Sequence, residues 1–328
     1  MDGVVLINTG SPVAPTAEAV RSYLTTFLMD KHIRPLPEPL WRMIVTHAIV
    51  PRRAEVSAAR YHSIWSSEGS PLVAGCTRLA ERVAACCAEM RPAYTPCVRA
   101  AMVFGEPSLT TVLAELRDAG CTRVIAIPLY PQTAYSTTGV AADALDQAYD
   151  LLRWHPTSKM LTSGYGDEPA YQAAVASAVH ASGFNPAKDH LLLSFHAIPQ
   201  AHVRRGDTYV EQVKRSAHGI AQALRLPRDA WSLSFQSRFE DGRKWTGPFT
   251  APRVEELART SMKRLVVCCP GFSVDCLETL FDVGHELHVL YMRTRPDADE
   301  TTFGYVPCLN DALPHAQLIA QLIARIGS

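Results

Sequence analysis

The two halves of this 328-residue chain repeat one another. Gly3-Val-Val-Leu-Ile-Asn-Thr-Gly-Ser-Pro12 and His190-Leu-Leu-Leu-Ser-Phe-His-Ala-Ile-Pro199 each run from an apolar strand through small or polar residues to a proline. Leu113-Ala-Glu-Leu-Arg-Asp-Ala-Gly-Cys-Thr-Arg-Val124 matches Val254-Glu-Glu-Leu-Ala-Arg-Thr-Ser-Met-Lys-Arg-Leu265, each reading helix, turn, basic residue, strand. Continuous apolar runs, rather than alternating ones, belong to strands buried on both faces, as in parallel sheets covered by helices. Such runs occur at Val4–Ile7, Arg99–Phe104, Val124–Ile127, Leu191–Phe195, Leu233–Phe235 and Leu265–Cys269. Amphipathic helical patterns separate them, at Leu72–Met90, Leu113–Ala119, Glu211–Leu224 and Val254–Thr260. The expected fold is α/β, with two similar Rossmann-like, doubly wound parallel-sheet domains. The expected limits are residues 1–165 and 166–311, with a last helix over 312–328 that packs back on the first domain.

Composition removes several function classes. The 32 Lys and Arg balance 32 Asp and Glu, and a pI near 7.2 carries no general basic footprint for nucleic acid. Nine cysteines occur without any C-x-x-C pair, so neither a zinc ribbon nor a thioredoxin-type motif is written here. With no charged, apolar and cleavable signal segment, reduced thiols and a cytoplasmic location are expected. No apolar run reaches the ~20 residues of a membrane span. Leu40-Trp41-Arg42-Met43-Ile44-Val45 reads either as a buried helix face or as a lip that touches a membrane or an apolar ligand. The glycine signatures of dinucleotide and P-loop nucleotide sites are absent.

In doubly wound sheets, ligands bind beyond the carboxyl ends of the strands. Asn8-Thr9-Gly10-Ser11-Pro12, Tyr130-Pro131-Gln132, Ser194-Phe195-His196 and Pro270-Gly271-Phe272 all fall there. His196 is either a satisfied structural histidine or a base and metal ligand, since imidazole does both near neutral pH. Asp275 reads as a helix N-cap with Glu278 completing a capping box. Glu278, Asp282 and Glu286 then recur at steps of four, which stacks three carboxylates on one helix face. A solvated acidic stripe is one reading; a path for metal ions or protons is the other. The segment Leu129–Gly139 is rich in hydroxyls, with Ser136 and Thr137 at its centre, and fits either a turn or a pocket lining. Tyr130, Trp245 and Phe272 can stack on a flat ligand or fill a core. His285 and His288 share a helix face, but spacing indicates no further metal ligand.

Together these segments resemble the ferrochelatases, which insert ferrous iron into a porphyrin. The resemblance runs from Val4 to about Asn310. It is carried by Asn8–Pro12, Gly69-Ser70-Pro71-Leu72, Leu129-Tyr130-Pro131-Gln132, Ser136-Thr137-Thr138-Gly139 and Ser194-Phe195-His196. It continues through Arg205-Gly206-Asp207, Phe235-Gln236-Ser237-Arg238, Cys269-Pro270-Gly271-Phe272, Asp275-Cys276-Leu277-Glu278-Thr279-Leu280 and Cys308-Leu309-Asn310. Each motif alone is weak; their order and spacing are specific.

The resemblance implies that porphyrin sits in an active-site cleft between the two domains. It implies His196 as the catalytic histidine, Glu278 as the facing glutamate and Asp282 as a second acidic position, with His196 and Glu278 touching the metal. Tyr130, Ser136, Thr137, Trp245 and Phe272 become substrate-binding residues. The partners are then porphyrin and Fe2+, with haem b as the product from protoporphyrin IX. Coproporphyrin III, another divalent metal, or a non-catalytic porphyrin- or haem-binding protein are the alternatives. No resident cofactor is implied. The hydroxyl-rich loop lacks the cysteine that some relatives use for a [2Fe–2S] cluster, and the chain lacks their cysteine-rich tail. Thr133-Ala134 also stands where Tyr-Ser is common. Monomer and homodimer are both compatible with the sequence, as is peripheral membrane contact near Trp41.

Overall fold

A computed structural model describes residues 1–239 and 241–327. Packing divides the chain into two units: 1–129, 135–162 and 311–327 in the first, Tyr130–Ala134 and Ser163–Asn310 in the second. Unit 1 holds β1 (Asp2–Gly10), β2 (Cys97–Phe104), β3 (Arg123–Pro128) and β4 (Thr157–Met160), in the order β2-β1-β3-β4. Unit 2 holds β5 (Asp189–His196), β6 (Trp231–Gln236), β7 (Arg264–Cys268) and β8 (Phe303–Val306), in the order β6-β5-β7-β8. All pairings are parallel. The two orders are the same once the second set is renumbered, so the sequence repeat is a repeat of topology.

Burial explains which strands were legible. β1 is buried from Gly3 through Asn8 and β5 from Asp189 through Phe195, as central strands covered on both faces must be. β4 (Thr-Ser-Lys-Met) and β8 (Phe-Gly-Tyr-Val) are short edge strands that lack such a run, and the apolar pattern missed both. At the end of β1, Gly10 has φ +107°, and a Cβ there would sit 1.7 Å from the Phe104 carbonyl oxygen. Only glycine fits that turn.

Tyr130–Ala134 leave β3 yet pack with unit 2. The Gln132 amide donates to Ser216 Oγ at 3.0 Å and to the Pro270 carbonyl at 3.3 Å, and Thr133 N–H donates to Gln212 Oε1 at 3.0 Å. The helix Leu313–Gly327 belongs to unit 1, where it packs on the helix Pro71–Met90 and on β3.

The apolar stretch near Trp41 divides its residues between both readings. It forms a helix (Glu38–Ile44), a π-turn (Val45–Ile49) and a second helix (Val50–Ile64). Trp41 is buried, with its indole N–H donating to the Leu28 carbonyl at 2.7 Å, whereas Leu40 and Met43 are exposed. Among the described residues, no helix is long and apolar enough to cross a membrane.

The carboxylate ladder is the main local correction. Residues Glu278–Leu287 form a π-helix that continues as the α-helix His288–Thr294. Asp275 does not cap it as expected. Thr279 Oγ accepts the Cys276 N–H at 2.9 Å instead. The Asp275 carboxylate accepts from the hydroxyls of Thr279 and Tyr305 and, at 2.8 Å, from the Asn310 amide. That ties the start of the π-helix to the turn after β8.

Candidate functional site

One face of the unit 2 sheet changes character toward its carboxyl edge. Alternate residues of a strand share a face, so Leu192, Ser194 and His196 line up along β5. Leu192 lies in an apolar cluster with Val254, Val267, Val283 and Tyr291. Next comes a buried polar layer. Ser194 Oγ donates to Gln236 Oε1 and meets Thr250 Oγ at 2.8 Å, and Thr250 meets Ser234 Oγ at 2.9 Å. His196 and Glu278 stand beyond that layer. Gln236 pairs with His196 in the β5–β6 register, and its amide donates to the Glu278 backbone carbonyl at 3.1 Å. The two strongest sequence candidates therefore share one sheet edge, joined through a glutamine to which the sequence assigned no role.

His196 is half-buried. Its Nδ1 lies 2.6 Å from the Ala197 carbonyl oxygen, which can only accept, so Nδ1 carries the hydrogen. In the neutral ring the lone pair is then on Nε2, the atom that can take a proton or touch a metal. The His196 carbonyl accepts from the Tyr209 hydroxyl at 2.9 Å, which anchors the strand end. The Phe272 ring lies 6.3 Å away, centroid to centroid.

Glu278 and Asp282 are half-buried and Glu286 is exposed. Burial and the neighbouring Glu278 carboxylate, to which its thiol hydrogen-bonds, push the Cys276 thiol well above its usual range. Burial does the same to Cys268, up to about 12, and to Cys269 and Cys308. Thiols held protonated in this way are poor nucleophiles and poor ligands.

Trp245 is buried, and the Arg243 guanidinium lies 5.0 Å from its ring centroid. Thr246 N–H donates to the Ile198 carbonyl at 3.0 Å, tying the Trp245 loop to the segment that follows His196. This loop borders a depression of about 550 Å³ lined by Gln200, Arg238, Phe239, Lys244 and Trp245. Tyr130 is half-buried in unit 2.

Ser136 and Thr137 are placed in unit 1, half-buried in a π-turn, Tyr135–Gly139. A residue that sequence reasoning passed over supports that turn. His32, 5% exposed, has Nδ1 3.0 Å from Asp30 and Nε2 3.3 Å from Asp143, and its ring packs 4.3 Å from Tyr135. No motif surrounds His32 in the sequence; only the fold reveals it. His285 and His288 do not form a pair: His285 packs on Phe281, while His288 stacks on Phe303 and faces Glu300. Among the described residues, no three His, Cys, Asp or Glu side chains are gathered to hold a metal ion.

The ferrochelatase family model matches residues 1–326. The chain is 40% identical over 313 residues to "Ferrochelatase" of Azoarcus sp., covering 94% of this chain and 83% of that protein. It is 36% identical over 322 residues to "Ferrochelatase" of Vibrio cholerae, covering 98% and 97%. Among solved structures it resembles "SirB from Bacillus subtilis with Fe3+", at TM-score 0.53 and 13% identity, over 75% of this chain and 88% of that one. That last likeness concerns the fold alone. With one family matched across nearly every residue, this chain belongs to the ferrochelatases, the porphyrin metal chelatases that work with ferrous iron.

Proposed function

We propose that the chain inserts Fe2+ into protoporphyrin IX to give haem b, with His196 as the base and Glu278 and Asp282 as the acidic path. The observation that carries this reading is the 2.6 Å contact from His196 Nδ1 to the Ala197 carbonyl, which leaves the ring's lone pair on Nε2. Metallation exchanges two pyrrole N–H bonds for bonds to iron and releases two protons. His196 Nε2 accepts one pyrrole proton, and the Glu278 carboxylate takes the other and passes it on through Asp282 to Glu286, which is exposed. Before it takes its proton, the same Nε2 lone pair, together with Glu278, contacts the incoming Fe2+. Imidazole and carboxylate bind ferrous iron without the grip of a complete thiolate set, which suits a metal in transit. Tyr130, Trp245 and Phe272, all in unit 2, are the macrocycle contacts of this reading. A porphyrin held bent exposes its nitrogens, so binding energy spent on distortion lowers the barrier.

No resident cofactor enters this scheme. The Gln132–Ser136 loop has no cysteine, which speaks against a [2Fe–2S] cluster of the type placed there in some relatives. Exposed Leu40 and Met43 are the candidate peripheral contact with a membrane, where a greasy substrate partitions.

The test is anaerobic incubation with Fe2+ and either protoporphyrin IX or coproporphyrin III, following the absorption change on metallation. Protoporphyrin is expected to give the higher kcat/KM. A preference for coproporphyrin would overturn the substrate assignment. Tight porphyrin binding without product from either would make the chain a carrier.

A further inference from the structure

We infer that Gln236 is a positioning residue that sets Glu278 relative to His196 by anchoring the first turn of the π-helix. The inference rests on the chelatase reading of His196 and Glu278.

Three features single Gln236 out. It is 7% exposed, and its Oε1 accepts from Ser194 Oγ–H and from the Cys269 thiol at 3.5 Å. Two donors on Oε1 fix the amide's orientation, because a flipped amide would set N–H against O–H and S–H. The NH2 group is thereby aimed at the Glu278 carbonyl, which it meets at 3.1 Å. Behind it, Ser194, Thr250 and Ser234 form a buried hydroxyl chain. Since Ser194 gives its hydrogen to Gln236, Thr250 donates to Ser194 and Ser234 donates to Thr250. The chain is polarised toward Gln236, and such chains strengthen each link.

The π-helix explains why an anchor matters. Wide i→i+5 turns are rare and occur mostly as single-turn bulges, yet this one runs for ten residues. Gln236 bonds its first residue and Asp275 bonds Thr279 one position later. One clamp comes from β6, next to His196 in register; the other, Asp275, lies between β7 and the π-helix and is bonded in turn by Asn310 beyond β8. Gln236 is the clamp shared with the candidate base, so it sets Glu278 relative to His196 rather than only holding the helix.

The experiment compares Gln236→Leu and Gln236→Glu with the parent in anaerobic iron insertion, alongside hydrogen exchange of the intact protein. Gln236→Leu leaves a buried carbonyl unpaired. Its kcat is expected to fall about ten-fold or more, with KM for porphyrin within about two-fold. Amides of Glu278–Leu287 should exchange at least about ten-fold faster, with the helix Leu313–Gly327 unchanged. Gln236→Glu supplies the pH signature. Its protonated carboxyl can donate to the Glu278 carbonyl, while its carboxylate cannot, and burial raises a carboxyl pKa. Relative to the parent at each pH, its kcat should recover at acid pH and fall as pH rises; the ratio for Gln236→Leu should stay flat. Unchanged exchange in 278–287, or a flat ratio for Gln236→Glu, would overturn the inference. If the parent itself inserts no iron, the chelatase reading is at fault, and the exchange data alone decide whether Gln236 anchors the helix.

Discussion

The His196 ring donates from Nδ1 to the carbonyl of the next residue, Ala197, at 2.6 Å. A carbonyl has no hydrogen to give, so this contact selects one tautomer and directs the basic nitrogen away from the backbone. Nitrogen NMR of the histidine-labelled protein at a pH where the ring is neutral should show His196 protonated at Nδ1. Protonation at Nε2 would remove the geometric basis for its role as the base.

Glu278 and Asp282 should differ in weight. Glu278→Gln keeps the size of the side chain and its backbone bond to Gln236 but removes the charge. Loss of a proton-handling group costs about 10²–10⁴-fold in rate, and kcat for iron insertion should drop in that range. Asp282, four residues further along the π-helix, should cost less than about ten-fold as Asp282→Asn, as expected of a relay with water as an alternative. Steady-state kinetics at saturating porphyrin would check both. Equal losses would contradict the order of the relay.

Asp275 should matter for folding more than for chemistry. It accepts from Thr279, Tyr305 and Asn310 while buried. Asp275→Ala leaves several buried donors without an acceptor and should lower stability by about 2–3 kcal/mol. Denaturant unfolding monitored by circular dichroism would measure it. An unchanged midpoint would mean that the turn after β8 does not brace the π-helix.

His190 should make stability pH-dependent. It is buried beside Ser232 Oγ at 2.8 Å, and burial, assisted by the charge of Arg253, pulls its pKa down to about 4. Between about pH 6.5 and 4 the unfolded chain takes up a proton there that the folded chain refuses, so stability falls as pH falls through this window. Below about 4 both states are protonated and the loss stops. Comparing parent and His190→Gln across this window should reveal a difference on the order of 3 kcal/mol, at about 1.4 kcal/mol per pKa unit. Parallel stability curves would contradict it.

The membrane reading now concerns two side chains. Leu40 and Met43 are exposed, while Trp41 is spent on the core. Leu40→Asp with Met43→Asp should abolish cosedimentation with lipid vesicles if that face makes the contact, and Trp41→Ala should instead destabilise the fold. Vesicle binding that survives both aspartates would place the contact elsewhere.

What the sequence displayed follows from burial. β1 and β5, covered on both faces, write themselves as unbroken apolar runs, and so the repeat and the α/β class were legible. β4 is four residues long with three of them exposed, and β8 is four residues long with two of them half-buried, so neither carries such a run. The ladder Glu278–Asp282–Glu286 was visible as a spacing, but a spacing of four does not distinguish an α-helix from the π-helix observed. Gln236 lies within the Phe235–Arg238 motif and carried no sign of its use, because its amide's partners come from β5, from the residue after β7 and from the π-helix. His32 was silent for the same reason: Asp30 is its neighbour in sequence, but Asp143 and Tyr135 are not.

The most direct measurement pairs turnover with binding in His196→Ala. Under anaerobic conditions with Fe2+ and protoporphyrin IX, the variant should lose about 10²–10⁴-fold in the rate of metallation. In the same preparation, fluorescence titration should show porphyrin bound within about three-fold of the parent's affinity, a difference below 1 kcal/mol. Parent-like metallation by His196→Ala would contradict the assignment of the base and, with it, the site at the carboxyl edge of β5.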